Sequence, residues 1–183
     1  MRILKFGLLL TLALMCCMST CRDTGANNCD KLLGNWQDAH KPLTKICFEK
    51  GGKYASIQDY FLSFKSKDTL DNGFEILVRQ SGNTGIVGAW KTSFGSGEWL
   101  IYNYNADNTY SYEWNNGDKG TGHYSSSGNS LRVFEYRASY ACAKDSVAIT
   151  SLFTNSTTKY GFSISDTVLT LVDKDTTLVM VRF

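Results

Sequence analysis

Proline and histidine are scarce in this 183-residue chain, which has one proline and two histidines. A single proline beside 16 glycines excludes a proline-rich linker and a collagen-like repeat. The chain is 43% hydrophobic and 20% charged, which excludes an intrinsically disordered protein. A chain of this length can bury a full core without metal or disulfide support. We therefore expect one globular domain, with an appended segment at most.

The chain also lacks an excess of positive charge. Arg2 and Lys5 lie in a segment that we expect to be cleaved, and the rest carries 17 basic and 17 acidic side chains. A near-neutral chain lacks the electrostatic footprint of a nucleic-acid-binding protein. It gives no support for attraction to anionic lipid either. We expect no nucleic-acid partner.

No apolar run reaches the ~20 residues that a membrane-spanning helix needs. The longest run, residues 6–15, is interrupted only by Thr11 and follows the basic residues Arg2 and Lys5. A short apolar run behind a basic start is typical of an export signal. We therefore predict a signal peptide over residues 1–20.

The cysteines after this run resemble the end of a bacterial lipoprotein signal, in which a cysteine thiol receives a diacylglycerol and becomes the first residue. The segment Met18-Ser19-Thr20-Cys21 favours Cys21 as the lipidated residue, and Cys17 is the alternative. Ordinary signal cleavage without a lipid is the remaining possibility. The resemblance implies a polar tether over residues 21–28 and a protein anchored by its lipid in the bacterial cell envelope, on the outer membrane or facing the periplasm.

Export also places the remaining cysteines in an oxidising compartment, where disulfides persist. Cys29, Cys47 and Cys142 are the disulfide candidates. Cleavage before Cys17 would add Cys21 and allow two pairs. The favoured interpretation is one structural disulfide and one buried thiol left over.

Signals of catalysis and of metal binding are weak. Only His40 and His123 could act as bases near neutral pH, and neither lies in a nucleophile or metal motif. The chain has no Cys-x-x-Cys pair, and the two histidines are far apart. We expect a protein that is not an enzyme and that needs no cofactor or metal.

Alternation of apolar and polar residues, with period two, dominates the second half of the chain. The pair Asp107-Asn108 and the segment 126–129 each predict a tight hairpin turn. The predicted strands are residues 98–103, 109–114, 120–125, 130–136, 147–153, 159–164, 168–172 and 177–183. Helical spacing fits residues 54–64, and residues 138–144 are alanine-rich. Many short strands with little helix predict an all-β antiparallel barrel or sandwich.

One short segment occurs twice, because Leu33-Gly34-Asn35-Trp36 returns as Val87-Gly88-Ala89-Trp90. The second copy resembles the Gly-x-Trp opening strand of lipocalins and of small bacterial lipocalin-like domains. The hairpin at 105–110, the segment 122–131 and the end of the chain at 181–183 fit the same family. The resemblance covers about residues 86–183 and implies an antiparallel up-and-down β-barrel. It also implies that Arg182, near the end of the last strand, packs over Trp90 through a cation–π contact.

Trp36 leaves two arrangements open. Either Trp36 opens the barrel and Trp90 lies in a later strand, or residues 29–85 form an N-terminal extension of a barrel over 86–183. The second arrangement is favoured.

A barrel of about eight strands is wide enough for one small ligand. One face of the predicted hairpin at 98–114 carries five aromatic side chains, which are Tyr102, Tyr104, Tyr110, Tyr112 and Trp114. Together they could line a cavity with ring faces and hydroxyl groups. The alternative is that they fill the core or stack across the hairpin.

These patterns predict an exported, lipid-anchored protein that binds a small apolar or amphipathic molecule in its barrel. The alternative is a non-catalytic protein-interaction module, an inhibitor or adhesion factor, that uses the barrel loops. The sequence names no protein partner. An enzyme is the third possibility, and it would require His123 to meet a carboxylate and a serine or cysteine in a cleft.

Overall fold

The computed structural model describes residues 28–183. The predicted signal peptide, most of the tether and both lipidation candidates, Cys17 and Cys21, lie outside the described residues. No helix in residues 28–183 is long and apolar enough to cross a membrane. The elements are α1 (Asn28–Leu32), β1 (Gly34–Asp38), β2 (Lys45–Glu49), β3 (Lys53–Phe61), β4 (Ser63–Ser66), β5 (Thr69–Asp71), β6 (Ile76–Ser81), β7 (Gly88–Ser93), β8 (Trp99–Tyr104), β9 (Thr109–Trp114), β10 (Lys119–Ser127), β11 (Ser130–Ala143), β12 (Ser146–Ser151), β13 (Thr157–Ser165), β14 (Val168–Val172) and β15 (Thr177–Arg182).

Strands β1–β3 and β11–β15 form a closed antiparallel barrel, which we call the first barrel. Strand β15 returns to β1, where Arg182 lies opposite Trp36. Strand β11 closes the ring because it pairs with β3 on one side and with β12 on the other. The eight strands follow one another around the ring in chain order. The predicted all-β fold with an antiparallel up-and-down barrel is confirmed.

Between β3 and β11 the chain builds a second curved sheet from β4–β10. Strand β4 continues β3 after Leu62, whose amide donates to the carbonyl of Asn129 at 2.6 Å. The β3–β11 ladder therefore reaches the start of β4, while β10 pairs with β11 at the other end of the sheet. This closes a second ring of eight strands, counting β3–β4 as one, which we call the second barrel.

Strand β11 belongs to both barrels, and the residues that point inward change from odd-numbered to even-numbered positions halfway along. Leu131 and Val133 pack into the second barrel, whereas Tyr140 and Cys142 pack into the first. A β-bulge between Tyr136 and Ala138 shifts the alternation by one residue, which is what an inserted residue does to the side-chain faces of a strand.

Each barrel has its own hydrophobic core. The core of the first barrel contains Leu32, Trp36, Ile46, Phe48, Val147, Phe162, Leu169, Leu171 and Met180. The core of the second barrel contains Leu62, Leu70, Leu77, Ile86, Trp90, Tyr104, Tyr110, Tyr124, Leu131 and Val133. A smaller cluster, built around Cys47, Ala55 and Ile57, lies on the outer face of the shared strands.

The two tryptophans of the repeated segment occupy matching positions in the two barrels. The indole N–H of Trp36 donates to the carbonyl of Leu32 at 2.8 Å, and that of Trp90 donates to the carbonyl of Ile86 at 2.6 Å. Each tryptophan is fully buried. Gly88, two residues before Trp90, has φ +132°, and a Cβ there would collide with the carbonyl of Ser81. The conformation and the contact together require glycine at this place.

Each tryptophan is covered by an arginine from a strand that pairs with its own strand. Arg182 lies 4.4 Å from the ring of Trp36, and Arg79 lies 4.1 Å from that of Trp90. Each guanidinium group donates to two backbone carbonyls, which belong to the residues three and five positions before the tryptophan that it covers. The expected contact of Arg182 with Trp90 is therefore wrong, because β15 pairs with β1 whereas Trp90 lies on β7, beside Arg79 on β6.

The expected division at residue 86 does not match the strand order. Residues 29–85 contribute β1–β3 to the first barrel and β4–β6 to the second, so they are no extension. The helix suggested by the spacing at 54–64 is also wrong, because this segment forms β3 and β4. Strand β3 has apolar residues on both faces, with Tyr54 packed against the first core and Ile57 in the small outer cluster. Residues 138–144 lie mostly in β11.

A disulfide joins Cys29 of α1 to Cys142 of β11 and spans 113 residues of sequence. Cys47 is a buried thiol, and burial raises its pKa to about 11. This is the arrangement of one disulfide and one remaining thiol that the sequence favoured.

The covering arginines should contribute unequally to stability. The side chain of Arg79 is only 6% exposed, whereas Arg182 is an exposed residue. We expect Arg79→Ala to lower the free energy of unfolding by about 2–3 kcal/mol, and Arg182→Ala to lower it by less. Urea unfolding followed by tryptophan fluorescence measures both. Arg79→Lys should lose most of the same energy, because an ammonium cannot reproduce the fork of donors. Equal losses at the two arginines would contradict the prediction.

The disulfide should stabilise the fold because it closes a long loop. Replacing both Cys29 and Cys142 by serine is expected to lower the free energy of unfolding by about 2–4 kcal/mol. Chemical reduction of the unmodified protein should have the same effect in urea unfolding. If reduced and oxidised protein unfold at the same urea concentration, the bond contributes nothing to stability.

Candidate functional site

The five predicted aromatic residues all face the inside of the second barrel. Strands β8 and β9 pair so that Tyr102 lies opposite Tyr112 and Tyr104 lies opposite Tyr110. Trp114, on the same face of β9, lies opposite Leu100. The alternation predicted from sequence therefore brings the whole set to one interior.

At one end of the barrel the aromatics form a packed core. Tyr104 is buried, with its ring centroid 5.3 Å from Tyr110 and 5.2 Å from Tyr124. The fully buried Trp90 belongs to the same cluster. Tyr104 thus fills the core, which is the alternative role considered for these residues.

At the other end the barrel keeps a cavity of about 240 Å³, which we call the inner cavity. Its lining includes four of the five predicted residues, and the full set is Gln58, Tyr60, Leu100, Tyr102, Tyr110, Tyr112, Trp114, Glu135 and Arg137. Trp114 stacks on Phe94 with ring centroids 5.4 Å apart.

A second space of about 430 Å³, the outer groove, adjoins the inner cavity. The two share Gln58, Tyr60 and Tyr102 as lining residues. The rest of the groove is formed by Leu43, Lys45, Ile57, Asp59, Phe74 and Glu75. Leu43 and Phe74 are strongly exposed, so the groove opens to solvent between apolar side chains.

Glycines on β10 make room for the tyrosine rings. Gly120 lies opposite Tyr112 in the ladder, and a Cβ on this glycine would collide with the Tyr112 ring. The ring therefore lies flat over a strand position that carries no side chain. This covering of a glycine by a cross-strand aromatic stabilises both strands and fixes one wall of the cavity.

Glu135 places a carboxylate inside the barrel, where it is only 4% exposed. Its Oε2 accepts a hydrogen bond from Nη2 of Arg137 at 2.6 Å. Its Oε1 is buried and has no hydrogen-bond partner among residues 28–183. A buried oxygen without a partner is costly, so the inner cavity contains an acceptor that a bound molecule could satisfy.

The tyrosine hydroxyls of the cavity remain protonated at neutral pH. Burial, and then the neighbouring Glu135 carboxylate, raise the pKa of Tyr112 to about 12. Burial likewise raises the pKa of Tyr60 to about 12, and burial is also the main cause of the raised pKa of Tyr102 and of Tyr110. These groups act as hydrogen-bond donors and acceptors, not as phenolates.

Glu75 is a second carboxylate, placed in the outer groove. The hydroxyl of Tyr102 donates to its Oε2 at 3.3 Å. Burial raises the pKa of Glu75 above its usual 4.5, and the hydrogen bond from Tyr102 opposes this in part. Among the described residues Glu75 has no cationic partner, whereas Asp59 in the same groove pairs with both Lys45 and Arg132.

Arg137 lies on the wall between the barrels. It follows Tyr136 at the bulge of β11 and lines the inner cavity. It also lines a space of about 270 Å³ at the end of the first barrel, where Phe153 lies 5.4 Å from its guanidinium carbon. The bulge therefore gives one cation access to both interiors.

His123 does have a carboxylate neighbour, but on the outer face of the shared sheet. Its Nδ1 lies 3.2 Å from the hydroxyl of Tyr136 and 3.5 Å from Oε1 of Glu49, and its ring stacks on Phe134 at 4.3 Å. None of these residues lines the inner cavity or the outer groove. Cys47, the nearby thiol, is buried with a raised pKa, which makes it a poor nucleophile. The expectation that the protein is not an enzyme stays a prediction.

The polar residues of the site were not predicted from the sequence. Glu135 follows Leu131 and Val133 on the inward face of a predicted strand, so an acid on an apolar face was the available signal. Arg137, Gln58 and Tyr60 reach the cavity only through the bulge and through the shared strand β3. No local pattern reveals such partners.

No group of three or more histidine, cysteine, aspartate or glutamate side chains in residues 28–183 could hold a metal ion. The chain matches no family model, and the searches of curated proteins and of solved structures gave no match.

The half-buried Glu75 should make stability depend on pH. Because its pKa is raised in the folded state, the folded protein still holds a proton where the unfolded chain has released it. The stabilising contribution is complete below the usual pKa and is lost as pH rises through the raised value. Glu75→Gln should therefore gain stability relative to the unmodified protein as pH rises above the usual pKa of 4.5. Urea unfolding at several pH values measures the difference, and a difference that does not change with pH would contradict the prediction.

Proposed function

We propose that this protein is a non-catalytic binder of a small apolar or amphipathic molecule, held in the inner cavity of the second barrel. The observation that carries the proposal is the meeting of Tyr102, Tyr110, Tyr112 and Trp114 around one space beside the packed end of that barrel. Rigid aromatic rings with polar tips offer apolar contact and directed hydrogen bonds together. The outer groove adds an apolar approach from solvent.

The size of the site suits a small ligand. Pockets for small molecules usually occupy about 300–1,000 Å³ and combine apolar walls with a few polar groups. The inner cavity and the outer groove together fall in this range. Glu135 and Arg137 supply the few polar groups at the inner end, and Glu75 supplies one at the mouth.

We also propose a lipocalin-like relationship and a lipid anchor. An arginine from the last strand over a tryptophan in the opening strand, the feature of the family resemblance, occurs in the first barrel, where Arg182 covers Trp36, which supports the relationship. The proposed anchor rests on the sequence of residues 1–21 alone. On this proposal the protein acts at the membrane of a bacterial cell envelope. Native mass spectrometry of protein from its own host would reveal acylation of Cys21 or Cys17 and any retained ligand.

A protein-interaction module remains the second candidate, and one surface favours it. The end of β3, the strands β4–β6 and their turns expose apolar side chains, which are Phe61, Phe64, Phe74, Ile76 and Val78. Exposed apolar patches often mark interaction sites. On this alternative the interior is filled structure, and small molecules would not bind.

Binding of a fluorescent apolar probe distinguishes the two candidates. We expect N-phenyl-1-naphthylamine to bind with one-to-one stoichiometry, and Trp114→Ala to weaken it by about tenfold or more, because truncating an aromatic wall removes a large contact. Trp99→Ala is the matched control, since Trp99 lies on β8 and contacts Lys91 on its outer face. Absence of probe binding, or equal effects of the two substitutions, would overturn the cavity proposal.

A further inference from the structure

We propose that the ligand of this site is an organic amine in its protonated form, with its apolar body among the tyrosine rings and its ammonium group at the carboxylates. This inference rests on the proposed function, because it names the chemical class of the molecule held in the same cavity. It follows from two carboxylates of the site that can still accept a hydrogen bond or pair with a cation.

The first unused acceptor is Oε1 of Glu135. The side chain is buried, and Arg137 satisfies only the other oxygen. A ligand carboxylate or phosphate placed there would meet the Glu135 charge in a poorly solvated space, which repels like charges strongly. A ligand N–H group would instead complete the missing hydrogen bond, and a charged donor does so most strongly.

The second is Glu75 at the mouth of the cavity. It has no cationic partner among residues 28–183, unlike Asp59, which already has two. Tyr102 donates to Glu75 and also lines the inner cavity. The hydroxyl therefore connects the carboxylate at the mouth with the aromatic interior, and a cation approaching through the groove meets this negative charge first.

The aromatic walls favour the same charge. The faces of tyrosine and tryptophan rings carry negative electrostatic potential and attract cations. Tyr60, Tyr102, Tyr112 and Trp114 surround the space in front of Glu135. Arg137 is the one cation in the inner lining, and it is engaged by Oε2 of Glu135 and by Oγ of Ser56 at 3.4 Å. Its charge is therefore balanced within the protein, and an anionic ligand would have to compete with Glu135 for it.

Three indoles with the same ring and different side-chain charge test the proposal. Tryptamine is a cation, 3-ethylindole is neutral and indole-3-propionate is an anion at neutral pH. We expect titration calorimetry with the purified protein to show tryptamine binding about tenfold or more tighter than 3-ethylindole, with indole-3-propionate the weakest. Glu75→Gln should remove most of the preference for tryptamine and leave the affinity for 3-ethylindole within about twofold.

The control is Glu113→Gln, because Glu113 lies on β9 between Tyr112 and Trp114 but on the outer face, where it pairs with Lys119. It should leave all three affinities unchanged. Glu135→Gln should also abolish the preference, and if that variant unfolds because Arg137 loses its partner, Glu75→Gln still decides the question.

The outcomes separate this inference from the proposed function. Equal affinity for the three indoles, or a tighter anion, overturns the amine proposal and leaves the cavity proposal standing. Failure of all three to bind while N-phenyl-1-naphthylamine binds also overturns the amine proposal alone. Failure of every probe, the naphthylamine included, overturns both.

Discussion

The antiparallel pairing of β3 with β11 supports everything else in this molecule. Strand β3 lies against β11 from Lys53 to Phe61, and each barrel uses part of this ladder as its wall. On the outer face of β3, Ala55 and Ile57 are buried and pack with Cys47, Phe134 and Tyr136. The backbone groups of the two strands satisfy each other's hydrogen bonds in this ladder, and both barrels depend on that pairing to close.

The bulge on β11 determines which side chains of this shared ladder face the two interiors. Without the extra residue near Arg137, an unbroken alternation would expose the side chains that fill one of the barrels. The shift places Glu135 and Arg137 at the boundary of the two interiors, where the Glu135 carboxylate is buried and the Arg137 side chain that pairs with it is partly exposed. The aromatic cavity on one side and the space near Phe153 on the other then share a single polar boundary.

Local pattern predicted much of this fold. The hairpins around Asp107-Asn108 and around 126–129 appear as β8–β9 and β10–β11, since their turn residues and alternation act over a few positions. The aromatic face of the first hairpin was predicted for the same reason. The two-barrel arrangement was beyond such reasoning, because nothing local shows that β3 pairs with a strand some 75 residues later. The repeated Gly-x-Trp segment was the one feature of the sequence that indicated two barrels. The favoured arrangement was one barrel with an extension, whereas the two copies lie in two different rings.

The order of strands in the two rings has a consequence for how the protein can be divided. The chain enters the first barrel, leaves it after β3, completes the second, and returns through β11. The strands that belong to the second barrel alone, β4–β10, all lie in the interval between two neighbouring strands of the first. Cutting out either barrel would deprive the other of β3 and β11. The protein therefore behaves as one cooperative unit with two interiors. A change that loosens the β3–β11 ladder loosens both barrels.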